Sequence, residues 1–306
     1  MEEFPVRVDK VSRSFGDVRA VSEVSFAVKK GELFGIIGPD GAGKTTLIRM
    51  ILSLLVPDKG SITVEGFDTV KQYREIRKLA GYMPGRFSLY YDLTVEENLR
   101  FYATIFGTTI EESYGLISDI YSQIEPFKTR RAGDLSGGMK QKLALSCALI
   151  HKPVVLVLDE PTTGVDAVSR KEFWDVLKSL GKQGITILVS TPYMDEASLC
   201  DRVALMQKSR LLEVNTPEGI VRNYPYNLIR IESSGKKIPP TLFEDTPGVV
   251  SSHRFGGGLH VAMEKQADTG QLHQILAEQG IAPEMVDRIE PGIEDCFLAL
   301  MTDNDE

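Results

Sequence analysis

Cysteine, net positive charge and long apolar runs are all scarce in this 306-residue chain, and each shortage excludes something. Cys147, Cys200 and Cys296 are odd in number, widely separated and show no paired spacing, which argues against a disulfide framework and suits a reducing cytosol. Core-sized runs such as Leu143–Ile150 and Val154–Leu158 fall well short of the ~18 residues of a membrane span. The opening Met-Glu-Glu-Phe-Pro has neither the basic flank nor the apolar stretch of a secretion signal. Lys and Arg number 35 against 43 Asp and Glu, a net charge of −8, so no large nucleic-acid footprint is expected. Lys29-Lys30 and Lys236-Lys237 read as solvated turn residues. What remains is ordinary for a cytosolic globular protein, with 42% hydrophobic and 25% charged residues. The length suits one large domain and one small one.

Strand and helix signals alternate through the first two thirds. Val6–Val11, Val24–Val28, Leu33–Ile37, Ile62–Val64, Val154–Leu158 and Ile185–Ser190 read as strands. Leu33–Ile37 and Val154–Leu158 are near-continuously apolar, as in parallel strands covered on both faces. Helices are expected over Thr45–Val56 (stopped by Pro57), Ser136–Ile150, Ala167–Leu180 and Met194–Cys200. Between about Ile76 and Lys128 the pattern is mainly helical, with Thr94-Val-Glu-Glu97 forming a capping box. This alternation implies an α/β architecture around a parallel sheet. From about residue 222 the character changes to strands at Leu228–Glu232, Val249–Arg254 and Leu259–Met263, with helices at Thr269–Gln279 and Ile293–Met301. A separate small α+β domain is therefore expected, ending in a frayed acidic segment, residues 302–306.

Three motifs carry chemistry. Gly38-Pro39-Asp40-Gly41-Ala42-Gly43-Lys44-Thr45-Thr46 follows a strand and opens a helix, the context in which G-x-x-x-x-G-K-[ST] cradles phosphates. Glycines let backbone amides converge on an anion at the positive end of a helix. Lys44 would reach the β- and γ-phosphates, and the Thr45 hydroxyl would meet Mg²⁺. The strand Val154–Leu158 runs into Asp159 and Glu160, which should face the phosphates from its C-terminal end. Asp159 would hold the hydrated metal, and Glu160 would polarise an attacking water. Ser136-Gly137-Gly138 at the start of a helix makes a second anion cradle.

Taken together, residues 1–221 resemble the nucleotide-binding domain of ABC transporters. The resemblance rests on Gly38–Thr46, Gly81-Tyr82-Met83-Pro84, the signature Leu135-Ser136-Gly137-Gly138-Met139-Lys140-Gln141, Leu156–Pro161, Thr163-Gly164-Val165-Asp166, and Ser190-Thr191 with Asp195-Glu196-Ala197. It implies a P-loop NTPase with a mainly parallel central sheet, an antiparallel β subdomain and a helical subdomain at about 76–135. Residues 222–306 resemble more weakly the small C-terminal domain of ATPase subunits that serve ABC-2-type exporters. The Arg288–Leu300 ending carries that likeness. The family implies ATP and Mg²⁺ as ligands, Phe15 stacked on adenine, and a head-to-tail dimer with a second ABC ATPase domain. There Ser136 and Gly138 contact the γ-phosphate bound by the partner, and Asp166 lies at the interface. It also implies a separate membrane permease, docked near Arg86–Leu99 (Phe87, Leu89, Tyr90, Tyr91), and a cytoplasmic, peripheral location.

Two positions depart from the family. Gly85 stands where a glutamine touches metal and water, and Pro192 stands where a histidine holds the γ-phosphate. Neither residue has a side-chain donor, and proline lacks an amide donor as well. Each such loss commonly costs on the order of 10²–10³ in rate. Asp40, where asparagine is usual, adds a carboxylate that requires a neutralising partner. The expectation is therefore an exporter's ATP-binding subunit with an ATPase site that turns over slowly, working with a complete partner or as a homodimer sustained by Glu160. The alternatives are a soluble ATP-dependent regulatory sensor or a ribosome-associated ABC protein.

Overall fold

A computed structural model describes residues 3–233 and 237–303, so Lys236 and residues 304–306 of the acidic end lie outside the described residues. The chain divides into two compact units, Met1–Pro217 and Glu218–Glu306. The first contains, in order, β1 (Val6–Phe15), β2 (Val18–Val28), β3 (Leu33–Ile37), α1 (Lys44–Ile51), β4 (Lys59–Val64), β5 (Phe67–Asp68), α2 (Tyr73–Leu79), β6 (Ala80–Met83), α3 (Val95–Phe106), α4 (Ile110–Tyr121), α5 (Gly137–Leu149), β7 (Val155–Asp159), α6 (Ala167–Lys182), β8 (Thr186–Thr191), β9 (Arg202–Gln207) and β10 (Arg210–Asn215).

Six of these strands form one sheet in the order β10-β9-β3-β8-β7-β6. Every neighbouring pair in it is parallel except β9 with β10. All residues of β3, β7 and β8 are buried, which is why their sequences run apolar rather than alternating. Parallel pairing brings the C-terminal ends together: Ile37 pairs with Thr191, Asp159 with Ser190, and Met83 with Leu158. The segments following β3, β6, β7 and β8 therefore emerge along one edge, where open α/β sheets bind ligands.

A second, antiparallel sheet in the order β2-β1-β4-β5 packs against the first through a core that includes the stacked rings of Phe26 and Phe34, 5.1 Å apart. Helices α3, α4 and α5 form the helical part. Thr94 caps α3 through its hydroxyl to the Glu97 amide while the Glu97 carboxylate accepts from the Thr94 amide, the expected capping box. Fully buried Asn98 clips the preceding loop, donating to the carbonyls of Tyr90, Leu93 and Thr94 and accepting from the Tyr90 amide.

Several local expectations need correcting. β2 begins at Val18, not Val24, because the β1–β2 ladder is bulged and the bulges break the alternation that marks a strand. α1 ends at Ile51, ahead of Pro57: Ser53 adopts φ 56°, and the amides of Leu54 and Leu55 fold back onto the Arg49 carbonyl. The stretch expected to be mainly helical contains strand β6, whose Ala-Gly-Tyr-Met sequence lacks β-branched residues and extends only because β7 offers a ladder. Met194–Leu199 is a 3₁₀ segment rather than an α-helix.

In the second unit, α7 (Pro217–Arg222), β11 (Asn227–Glu232), β12 (Val249–Phe255), β13 (Gly258–Met263), α8 (Gly270–Glu278), β14 (Met285–Ile289) and α9 (Ile293–Asp303) follow one another. Thr302 and Asp303, expected in a frayed end, extend α9. The strands form an antiparallel sheet in the order β12-β13-β11-β14, over a core of Ile229, Ile231, Phe243, Leu259, Val261, Leu272 and Leu276. β14 was not expected because Asp287 and Arg288 point outward and leave too little apolar signal. Buried His260 on β13 bonds through Nδ1 to the Asp295 carboxylate at 2.8 Å, and the other Asp295 oxygen accepts from the Gly292 amide at 2.8 Å. Asp295→Ala strips both groups of their partner inside the fold. It is expected to lower stability by about 2–3 kcal/mol and to speed hydrogen exchange over α9; unchanged exchange there would refute this.

Candidate nucleotide site

The loop between β3 and α1 is shaped by glycines that nothing larger can replace. Gly43 sits at φ 102° as the N-cap of α1, and a Cβ there would run into the Ala20 carbonyl. At Gly38 a Cβ would meet the Met206 carbonyl. No side chain caps α1, so its first-turn amides remain available to an anion. A pocket of about 210 Å³ opens over this turn, lined by Val18, Arg19 and Ala20, by Asp40, Gly41, Ala42, Gly43, Lys44, Thr45 and Thr46, and by Glu160.

Lys44 is 3% exposed, and its ammonium donates to the carbonyls of Gly38 at 2.7 Å and Pro39 at 3.1 Å. It also lies 3.3 Å from the Glu160 carboxylate. Glu160 occupies the left-handed region at φ 50°, uncommon for a residue with a side chain, and its amide is held by the carbonyl and hydroxyl of Ser190. Asp159 is buried, and its Oδ1 accepts from the Thr45 hydroxyl at 3.1 Å and from the Ser190 hydroxyl at 2.6 Å. Thr45 and Asp159 thus present two hard oxygens side by side at the pocket. That donor set fits Mg²⁺, which takes one or two protein oxygens and completes its octahedron with phosphate and water.

Phe15 lies outside the lining of this pocket. It is 47% exposed at the end of β1, with the Arg13 guanidinium 4.9 Å over its ring. Its cross-strand partner, Val18, is in the lining.

The signature residues form a second, separate group. Ser136 caps α5 by accepting from the Met139 amide, Leu135 is buried beside it, and Gln141 is half-buried. A Cβ on Gly138 would stand 2.7 Å from the Ser169 hydroxyl, so only glycine lets the starts of α5 and α6 approach this closely. Gly137 faces the Gly164 carbonyl. Asp166 caps α6, accepting from the amides of Val168 and Ser169. The Ser169 amide, more than any other group, holds its carboxyl below the usual carboxylate value. Its cap is therefore intact above an unfolded value of about 3.9 and fades only as pH falls through the lower folded one. None of Leu135–Gln141, nor Asp166, lines the phosphate pocket of its own chain.

At Gly85, beyond β6, a Cβ would stand 2.9 Å from the Asp159 carbonyl, so a side chain there requires the backbone to move. Pro192 follows Thr191, whose hydroxyl donates to the Glu196 carboxylate at 2.5 Å. Glu196 is 1% exposed, also accepts from the Thr162 hydroxyl at 2.7 Å, and lies 3.6 Å from Arg170. Sequence reasoning gave no role to Ser190 or Glu196. Ser190 lies near the end of an apolar strand and Glu196 follows it in a polar stretch, and nothing in either pattern reports which partners their side chains meet. It also overlooked Val18–Ala20, which a bulged strand brings to the pocket.

A phosphate loop between β3 and α1, facing two carboxylates at the end of β7, the parallel strand next but one in the sheet, defines a P-loop nucleotide-binding protein. Comparison with known proteins narrows the class. The family model described as ABC transporter matches residues 21–163. The chain is 38% identical over 288 residues to the Nod factor export ATP-binding protein I of Paraburkholderia xenovorans (strain LB400), covering 90% of this chain and 94% of that protein. It is 40% identical over 218 residues to the probable multidrug ABC transporter ATP-binding protein YbhF of Escherichia coli (strain K12), covering 70% of this chain. The match spans only 38% of that relative's length. Among solved structures, cbiO1 from Clostridium perfringens, described as part of an ABC transporter complex, superimposes with a TM-score of 0.65 at 26% identity over 72% of this chain and 92% of the other. The structure of an ATP-binding subunit of an ABC transporter gives 0.65 at 27% identity, covering 72% and 92%. The chain belongs to the ABC transporter family, among its ATP-binding proteins.

The two left-handed glycines of the loop separate shape from space. Gly41 has φ 79° but nothing within 4 Å of a Cβ, whereas Gly43 faces the Ala20 carbonyl. Gly43→Ala is expected to weaken equilibrium nucleotide binding at least tenfold more than Gly41→Ala, since backbone strain costs about 1 kcal/mol or more in both but the clash in one alone. Equal losses would contradict this geometry.

Proposed function

We propose that this chain is the ATP-binding subunit of an exporter and couples Mg·ATP binding and slow hydrolysis to movement of a separate membrane permease. The observation that carries the reading is the separation of the two groups described above. A phosphate pocket lined by Lys44, Thr45 and Glu160, with Asp159 bonded to Thr45, stands apart from an exposed Ser136-Gly137 turn that is absent from that pocket's lining. The arrangement makes sense when a second ATPase domain faces the first head to tail, so that each Ser136 turn completes the other's site. Asp166, exposed at the start of α6, then lies in the interface. The names of the export ATP-binding relatives support an exporter over a soluble regulatory or ribosome-associated role.

In this mechanism the phosphates displace the Gly38 and Pro39 carbonyls from Lys44, which turns its ammonium to the β- and γ-oxygens. Thr45 and Asp159 would hold Mg²⁺, which when bound would supply positive charge to the phosphates. Glu160, freed from Lys44, accepts a hydrogen bond from the attacking water. Phe15 extends the binding surface past Val18 toward the base. Arg19 lines the same pocket as Asp40, beyond ion-pair distance, and offsets that carboxylate only through space. Gly85 and Pro192 contribute no polar group, which slows the chemical step without weakening binding.

The permease would dock over an apolar cleft of about 440 Å³ lined by Tyr82, Met83, Leu89, Tyr102, Phe106 and His151, among others. The segment at Arg86–Leu99 contributes a rim: Tyr90 and Tyr91 are half exposed, while Leu89, expected on the docking surface, is buried. No helix of the described residues is long and apolar enough to cross a membrane. In this reading the permease supplies the spanning part, and the chain acts peripherally on its cytoplasmic face.

Steady-state Mg·ATP hydrolysis across protein concentration tests the slow-site reading. Wild type should bind ATP yet turn over slowly. Pro192→His should raise the rate, and adding Gly85→Gln should help less than an unobstructed side chain would, given the crowding at Asp159. Glu160→Gln should lower the residual rate a further 10²-fold or so while sparing ATP binding. A fast wild type, with specific activity rising with concentration, would instead establish a competent homodimer.

A further inference from the structure

A second polar hollow lies in the same unit as the phosphate pocket and shares Arg19 with it. It is the larger of the two, about 540 Å³, within the range of small-molecule sites. Two edge strands form its walls: β2, the edge of the antiparallel sheet, and β10, the edge of the six-stranded one. They are tied together where the Ser22 amide donates to the Ser209 carbonyl at 2.8 Å and the Ser209 hydroxyl donates to the Arg19 carbonyl at 2.5 Å. Ser12 and Ser14 of β1, with Asp58 and Lys59, complete the lining. The wall strands are irregular here. The β1–β2 and β9–β10 ladders are bulged, and Glu23 and Ser209 adopt φ 50° and 70°. Bulges and left-handed non-glycine residues are costly features that cluster at functional sites.

The charge lining the hollow is the opposite of the chain's net −8. Arg19, Lys59 and Arg210 line it, and among the described residues none of them has a carboxylate at ion-pair distance; Arg19 makes only a long 3.5 Å contact to the Ser22 hydroxyl. Of the two acids present, Asp58 is already engaged by the Arg13 guanidinium at 2.6 Å and the Ser14 amide at 2.7 Å. Glu23 alone keeps a carboxylate for a ligand, its amide being held by the Ser12 hydroxyl at 2.9 Å. Three cations and three serine hydroxyls (Ser12, Ser14, Ser22) match a dianionic group rich in acceptors. The free Glu23 carboxylate matches a ligand that also carries hydroxyl donors.

We propose that this hollow is a binding site for a phosphate monoester that bears hydroxyl groups, a sugar phosphate in chemical class. Arg19, Lys59 and Arg210 hold the phosphate, and Glu23 accepts from the hydroxyls. Because Arg19 lines both cavities, a dianion in the hollow competes with the nucleotide for its charge and adds repulsion. The two ligands therefore weaken each other, reciprocally.

The test is calorimetric titration of the full chain with ribose 5-phosphate, comparing wild type, Lys44→Ala and the double variant Lys59→Glu/Arg210→Glu. The site predicts saturable binding that survives Lys44→Ala and weakens about tenfold or more in the double variant, which still binds ATP and so reports an intact fold. Saturating the wild type with ATP should weaken ribose 5-phosphate binding several-fold. A phosphatidic acid headgroup presents the same monoester. Binding to vesicles containing it that depends on Lys59 and Arg210, without ribose 5-phosphate binding, would assign the ester to a lipid and overturn the hydroxyl-bearing ligand, since phosphatidic acid offers Glu23 no hydroxyl. Binding abolished by Lys44→Ala would place the probe in the phosphate loop and overturn the proposal. So would indifference to the double variant, or no binding in either arm.

Discussion

One carboxylate oxygen, Oδ1 of Asp159, holds the nucleotide edge of the molecule together. It accepts the hydroxyls of Thr45 at the start of α1 and of Ser190 near the end of β8, while its own residue ends β7. Three elements far apart in sequence are thereby fixed to one atom, in a buried setting where an unmade charged hydrogen bond is expensive. The left-handed backbone of Glu160 follows from this. With Asp159 drawn toward α1, the chain turns back at once, and Ser190 secures the turn by accepting the Glu160 amide. Glu196 repeats the device on the far side of β8, where a single buried carboxylate takes the hydroxyls of Thr162 and Thr191.

The parallel sheet and the phosphate loop were legible because both depend on local sequence. Continuous apolar runs declare strands covered on both faces, and glycines with Lys44 and Thr45 declare an anion cradle. The missed features depend on non-local partners. β6 exists because β7 provides a ladder for a sequence with little strand preference of its own, and β2 is longer than its pattern because bulges shift the alternation. Ser190 and Glu196 were legible as parts of a motif but not as buried hydrogen-bonding groups, since a serine or glutamate that is buried by distant neighbours is written like one in a loop. Gly85 was read as a missing side chain. The fold adds that the missing side chain would crowd the Asp159 carbonyl.

The two groups of functional residues differ in how they are held. The phosphate loop is fixed by buried hydrogen bonds, whereas the signature turn is fixed by the Ser136 cap and by close approach at glycine, Gly138 against the Ser169 side chain and Gly137 against the Gly164 carbonyl. Close approach of α5 and α6 places Ser136 and Asp166 at the starts of neighbouring helices, so a shift of one carries the other with it.

Lys44 is buried and satisfied by two carbonyls and a carboxylate. An incoming anion therefore gains not a free cation but an exchange of partners, and only a ligand that brings several oxygens at once can outbid them. The hold on Lys44 thus sets a condition on the number of oxygens a ligand offers, separate from any condition on the shape of the cavity.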